Sequence, residues 1–536
     1  MRKSISFIKA QKLRKLGLKG FIWLKERKEK MKVKGVIGMV VIFLFSIFLS
    51  RSGWAFLKAG TAKGIITPPD IDQKQRISVM GYPLKGVKHD IYARVLVLDD
   101  GKSRLVIVSY DLNCLDVATP ILRARCKKEL GIDPAYLILL ATHNHAAPIQ
   151  IVPDNFDYGR WLAQRIFELI KEAISREKGP VQVFFGSRKV DMVAGTNKHG
   201  YVYAVLFGDE PIDKDVQLLK VTYQGKVLAL LFNQATHPLH ETFHKIGVCH
   251  CGYAIEELEQ RFPGALAMYA DACGGNQFLK RGFAVWAPLW KVKKVGKELA
   301  DIVTDIAQGE MIEISGEIFS KRKIISLPLA QPISYDEAEK LARKIPTDIG
   351  FVSYPHPQRK NNWIRALLKY YELGVPFPTR TTDMVCTDDG FLLRIPTTPE
   401  ERKKEISAKM EKLNKELFSR YPEEKEYPCI YEEAIVARIG RLIFVAMQGE
   451  VCAPICVRIK QAFKDKPVMV FAYMGEHNLY IPTRYLVKRN AYQAQVIQIQ
   501  YASPVPWSEE VEDVMTEEMI NLIKSVLKVH TLHQRS

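Results

Sequence analysis

The chain has 536 residues, of which 47% are hydrophobic and 26% charged, the balance of a globular protein able to bury a large core. Its nine cysteines are an odd, sparse set, which excludes a disulfide-framed fold. The net charge of +19 does not read as a nucleic-acid surface, because residues 1–34 hold thirteen Lys/Arg against two Glu and so account for +11 of it.

That basic extension (1–34) precedes "GVIGMVVIFLFSIFLS" (35–50), an uncharged apolar stretch, and then a small-x-small site at "GWA" (53–55). This is the order of a signal peptide, and it assigns 35–55 to a signal or a membrane anchor. The apolar stretch is shorter than the roughly 20 residues of a spanning helix. Positive charge on its amino side predicts an exported body, secreted, periplasmic or membrane-anchored. Met31 would make an ordinary signal start; alternatively residues 5–30 form a basic amphipathic helix on an anionic membrane face.

The remaining residues, 56–530, read as one large domain. "KAGTAKGIITPP" (58–69) is a strand and turn. "YARVLVLDDG" (92–101) and "SRLVIVSYDLNC" (103–114) are strands joined by an Asp-Gly turn, a hairpin signal. "ATPILRARCKKELG" (118–131) is helical by spacing and stops at a glycine. "YLILLATHNH" (136–145) is a buried strand, and "YGRWLAQRIFELIKEAISREKG" (158–179) an amphipathic helix. The second half repeats the habit in "KVLALLFNQATH" (226–237), "IEELEQRF" (255–262), "ALAMYADACGGN" (265–276) and "PLWKVKKVGKELADIVTDIA" (288–307). Residues 320–430 carry dense charge, Pro-rich joints and helical runs such as 398–421, and read as a helical insertion or lid. Strands return at 433–450 and 467–480. The fold class is α/β: a large mixed, partly parallel β-sheet core flanked by helices, with a helical insertion.

Four apolar strand signals end in residues able to ligate metal: His143, His237, Glu450 and Tyr480. Sites in α/β sheets form beyond the carboxyl ends of strands, where loops converge. Taken singly, each histidine could be a hydrogen-bonded core residue, Glu450 a cap for the following helix, and Tyr480 a core aromatic. Four at the same end of predicted strands argue for a site. Imidazole and carboxylate suit one Zn2+, with a phenolate as a fourth ligand. His143 and His145, two apart in an extended segment, would face one pocket, with either both ligating or His145 handling a proton. "HPLHETFHKIGVCHC" (237–251) offers His240, His244, Cys249, His250 and Cys251 as a second cluster, with buried or free thiols as the plainer reading.

With these residues in place, the chain resembles the neutral/alkaline, non-lysosomal ceramidase family through its amino-terminal catalytic domain. The match runs through most of 57–510: "KAGTAKGIITPP", "MGYPLKG", "ATHNHAAP", "NQATHP", the "MQGEV" loop and "NLYIPTRYLVKRNAYQAQ". The resemblance implies one zinc held by His143, His237, Glu450 and Tyr480. It implies His145 and Tyr492 as groups that move a proton and steady an oxyanion, and cleavage of an N-acyl amide by metal-activated water. Lys198 falls where the family has a substrate-touching arginine, replacing a planar fork by a point charge. Gly275-Asn276-Gln277-Phe278 stands where the family has Gly-Asn-x-Ser, so a hydroxyl is lost, and "VCHCG" replaces the usual acidic residue. The chain stops after one helix (509–527), where characterised ceramidases carry an immunoglobulin-like domain. The expected activity is a zinc-dependent amidohydrolase acting on a lipid-like amide near a membrane. The rivals are a non-catalytic envelope binding protein on the same scaffold and a metallo-esterase or phosphoesterase.

Overall fold

The apolar runs become strands buried on both faces, and this two-sided burial is what their lack of alternation encodes. A computed structural model describes residues 57–79, 82–150, 155–195, 210–238, 244–280, 287–344, 363–374, 384–386, 392–394, 429–476, 479–499, 503 and 505–533. All lie in the unit Phe56–Ser536.

In the first sheet β1 (Lys58–Ile65), β2 (Tyr92–Asp99) and β3 (Arg104–Tyr110) pair antiparallel. The β2–β3 turn is the expected Asp-Gly corner, with Gly101 at φ 86°. Helix α1 (Ala118–Leu130) stops at left-handed Gly131 and returns the chain to β4 (Leu137–Ala141), parallel to β3. Helix α2 (Phe156–Ser175) then packs on this sheet through residues such as Leu162, Ile166 and Leu169.

The second sheet has β5 (Val181–Lys189), β6 (Asp215–Tyr223) and β7 (Lys226–Gln234) antiparallel. Helix α3 (His250–Arg261) leads to β8 (Leu266–Tyr269), parallel to β7. Helix α4 (Leu289–Gln308) leads to the edge strand β9 (Ile312–Glu313). The third sheet contains β10 (Ile318–Pro328), β11 (Cys429–Ile439), β12 (Leu442–Met447) and β14 (Val468–Phe471), with β12 and β14 parallel. The short strand β13 (Glu450–Val451) and helix α5 (Ala453–Ala462) lie between β12 and β14. The strand β15 (Tyr480–Ile481) and helices α6 (Tyr492–Ile499) and α7 (Val511–His533) close the described chain.

The core divides by strand parity, as successive side chains on a strand must. Leu105 and Ile107 of β3 join Leu219, Leu231, Met268, Phe444 and Phe471 in a core shared by all three sheets. Val106 and Val108 face the other way, into a second core that also holds residues of α1 and α2. On the far side α3 and α4 cover β6, β7 and β8. The first and third sheets touch at the Leu140–Met474 bridge. The α/β expectation is met by several mixed sheets rather than one.

The stretch read as a helical insertion begins and ends in strand. β10 pairs with β11 along its whole length, from Ile318–Ile439 to Pro328–Cys429. Charge misled the reading, because Arg322 and Lys323 lie on an exposed part of β10 and pair with Glu433 and Glu518. Beyond β10, helices Tyr335–Lys344 and Trp363–Leu373 pack around Ala338, Ile364 and Leu367. The run 398–421 lies outside the described residues, as do the segments 1–34 and 35–55. No helix among the described residues is long and apolar enough to cross a membrane.

Candidate metal centre

The carboxyl ends of three strands from three sheets are stitched together. The Asp271 amide donates to the Ala141 carbonyl (3.1 Å), and the Ala472 amide donates to the Asp271 carbonyl (3.1 Å). Chain leaving β4, β8 and β14 is thereby aimed at one place, the condition under which distant residues meet.

His143 lies two residues past β4 and is fully buried. The extended geometry expected of His143–His145 is corrected by its backbone, which is left-handed at φ 53°. That conformation is costly for a residue with a Cβ and persists only where its surroundings impose it. The Asn113 side-chain amide lies 2.9 Å from His143 Nδ1. The ring of Tyr473, itself left-handed at φ 55°, lies 4.1 Å from the imidazole, centroid to centroid. The turn still brings the histidines together, with Nε2 of His145 3.0 Å from Nε2 of His143.

His237 sits three residues past β7 rather than at its end, and its amide donates to the Gln277 carbonyl. Nδ1 donates to the Gly274 carbonyl at 2.8 Å, which turns Nε2 toward Glu450 and Tyr480. Phe278 stacks on one side of the ring (4.5 Å) and Tyr480 lies parallel to it at 5.9 Å. A Cβ on Gly274 would meet Thr236 backbone at 2.8 Å, and one on Gly275 would meet the Glu450 carbonyl at 2.3 Å. Both positions need glycine for close approach. Glu450 does not cap α5: Cys452 occupies the cap position. Instead β13 pairs in parallel with β15, setting Glu450 beside Tyr480 in register.

His237 Nε2 is 3.1 Å from Glu450 Oε2 and 3.0 Å from Tyr480 Oη, and His143 Nε2 is 3.5 Å from the same Glu450 oxygen. Ligating atoms of His143, His145 and His237 all lie within 4.8 Å of one another. Burial lowers the pKa of His143, against the pull of Glu450, and keeps its imidazole neutral. Burial alone would raise Glu450, but His143 and His237 outweigh it and bring the carboxyl down to about 2. Burial, reinforced by the Glu450 charge, drives the Tyr480 hydroxyl well above its ordinary value. Two imidazoles, a carboxylate and a phenol thus converge on one point, a set of N/O donors able to hold a metal ion.

Tyr492, at the start of α6, sets its ring 5.8 Å from that of Tyr480, edge to face. Lys198 lies outside the described residues, as does His240. The rest of the second cluster does not form around an ion. His244 is exposed against Tyr82, Cys249 donates to Asn144, and Cys249 and Cys251 pack into the core beneath α3. Burial alone takes His250 down to about 3. Sequence reasoning missed Asn113, Tyr473 and the Gly274 carbonyl. The sequence carries a trace of the last alone, the Gly274-Gly275 pair after β8.

No protein-family model matches the chain, and no curated protein does. Solved structures do. A neutral ceramidase from Pseudomonas aeruginosa superposes with a TM-score of 0.60 at 17% identity, covering 87% of this chain and 74% of that one. A ceramidase complexed with C2 superposes with a TM-score of 0.60 at 18% identity, covering 88% and 75%. The chain has the neutral ceramidase fold over most of its length.

Proposed function

We propose that this protein is a zinc-dependent hydrolase that cleaves an N-acyl amide bond of a lipid-like substrate. The observation that carries this reading is the convergence of His143, His237, Glu450 and Tyr480 at the stitched ends of three sheets, inside a fold shared with neutral ceramidases. These four residues would hold the ion. Bound there, zinc supplies a Lewis acid for the amide carbonyl and lowers the pKa of water toward about 7.

The residues of the chain do the rest. His145 Nε2 takes a proton from the attacking water as its oxygen adds to the carbonyl carbon. His145 then delivers the proton to the nitrogen as the C–N bond breaks, giving a carboxylic acid and a free amine. The Tyr492 hydroxyl donates to the carbonyl oxygen as charge develops on it. The Gly274 carbonyl and Asn113 fix the two imidazoles so that their Nε2 atoms stay aimed inward. Phe278, where the resembling family has a hydroxyl, presents an apolar wall beside His237, which favours an acyl chain over a polar group. Lys198 is the proposed contact to a polar part of the substrate. The basic-then-apolar order of residues 1–55 supports an exported protein working near a membrane.

The test is elemental analysis of the purified protein followed by a panel of N-acyl amides, esters and phosphoesters, with His145→Ala as control. One zinc per chain and amine release that disappears in the control are expected. Zinc without turnover of any amide would sink the hydrolase reading and leave the binding-protein rival. Turnover of esters or phosphoesters alone would reassign the reaction.

A further inference from the structure

Two loops position three of the proposed donors, His237, Glu450 and Tyr480. One is the Cys273–Asn276 turn, whose Gly274 carbonyl orients His237 and whose Gly275 lies against the Glu450 backbone. The other is the segment from Tyr480 to Thr483, which pairs with β13 and then starts a short helix, Arg484–Lys488. Neither loop is long, and the donors they hold must agree to within a few tenths of an ångström for a metal to bind.

We propose that Glu210 is a positioning residue that clasps these two loops together and so sets the geometry of the metal pocket. The proposal rests on the metal-centre reading given above. Asn276 Nδ2 donates to Glu210 Oε2 at 3.2 Å, while Asn276 Oδ1 accepts from the Ala453 amide at the start of α5 (2.8 Å). The same turn is tied to β13 by the Gly275 amide, which donates to the Val451 carbonyl (3.0 Å). On its other side Glu210 hydrogen-bonds the Thr483 side chain. The Thr483 oxygen already accepts from the Leu486 amide as a helix cap, so its hydroxyl proton is available for the carboxylate. One carboxylate therefore bridges the turn that positions His237 and Glu450 to the residue three beyond Tyr480.

Glu210 itself is anchored. Three residues on, the Asp213 amide donates to Gln277 Oε1, and Gln277 Nε2 donates back to the Asp213 carbonyl. Lys460 of α5 pairs with Asp213 and Asp215 at 2.7 and 3.0 Å. The segment carrying Glu210 cannot drift without breaking a buried ion pair.

The clasp is pH-sensitive. Burial raises the Glu210 carboxyl to about 7, with Glu512 pushing the same way and Thr483, Asn276 and Arg489 pulling down. The groups facing it are Glu512 from α7, Arg489, the Cys452 thiol, Asn276 and Thr483, and Glu512 is itself held by Arg458 and the Arg484 amide. The carboxylate accepts from both Asn276 and Thr483. Protonation turns one oxygen into a donor and weakens the bridge, so the pocket is tightest above pH 7.

The experiment loads the full-length protein with cobalt(II), whose visible absorption reports ligand geometry, and measures zinc affinity by chelator competition from pH 6 to 8.5. Glu210→Ala should weaken zinc about 10–100-fold at pH 8 and alter the cobalt spectrum. Glu210→Gln, a fixed mimic of the protonated carboxyl, should bind zinc as wild type does at pH 6 and more weakly than wild type at pH 8. The wild-type to Gln ratio of affinities should therefore rise as pH passes upward through 7, and a flat ratio would overturn the pH-sensitive clasp. Wild-type cobalt spectra and zinc affinities in both variants would overturn the clasp alone. A wild-type protein that takes up neither metal would overturn the metal reading, and the clasp with it.

Discussion

Two groups of histidines with nearby acid or thiol side chains lie close together in this fold, and they meet opposite fates. At the strand ends, His143 and His237 each have a partner on Nδ1 and a common carboxylate on the other side. At the start of α3, Cys249 and Cys251 face a core of Phe232, Leu258 and Leu299, His250 is buried between them, and the Cys249 thiol donates to the Asn144 side-chain oxygen. Residue type does not separate the two groups. What separates them is whether the backbone delivers a second, charge-bearing donor to the same point. At the centre, three sheets are stitched end to end and do so. At α3, two helices pack on one sheet, and among the described residues no such set of donors gathers there.

The strongest way to break this contrast is Glu450→Ala. Without its carboxylate the strand-end group should resemble the α3 group, so metal affinity should fall by more than about 100-fold, beyond the range for orienting partners. Turnover should fall with it. Elemental analysis after dialysis and amine release in the same sample check both. His145→Ala should leave metal content intact and lower kcat by about 10²–10⁴-fold, the range for a lost proton carrier; metal loss instead would make His145 a ligand. Asn113→Ala removes an orienting partner alone and should weaken metal binding by about 10–100-fold, read by chelator competition.

The smallest effect belongs to the α3 group. The His250 pKa of about 3 in the folded state lies below its ordinary 6.5. Between those values the unfolded chain binds the extra proton, so stability falls as pH drops through the window, by at most about 1.4 kcal/mol per pH unit. His250→Leu should remove that slope in urea melts between pH 6.5 and 4 and leave metal content at pH 8 unchanged. A metal loss in this variant would dissolve the contrast between the two groups.

Much of the frame was legible because its signals are local. The Asp100-Gly101 corner, the glycine after α1 and the unbroken apolar runs each follow from a few neighbouring residues. The donor set was legible as a repeated pattern, four strand-like runs ending in ligand-type residues. The geometry of that set was not. The left-handed backbone of His143 and Tyr473 is imposed by tertiary packing and leaves no trace in composition. Asn113 is thirty residues ahead of its partner in the chain. Glu450 and Tyr480 were placed at strand ends but form a small parallel pair of their own. In the charged middle of the chain, dense charge over 320–430 reads as a helical insertion, yet Lys321, Arg322 and Lys323 at its start belong to a strand whose exposed stretch carries them.

Pro328 and Cys429 are neighbours on one rung of the β10–β11 ladder. Residues 329–428 therefore enter the sequence between two neighbouring positions of one ladder. Such a junction works like a socket. A short hairpin could replace whatever is plugged in, or a foreign module could be fitted, while the ladder below keeps its alignment. Lineages sharing this scaffold would then be free to vary that appendage faster than the strands carrying the donors.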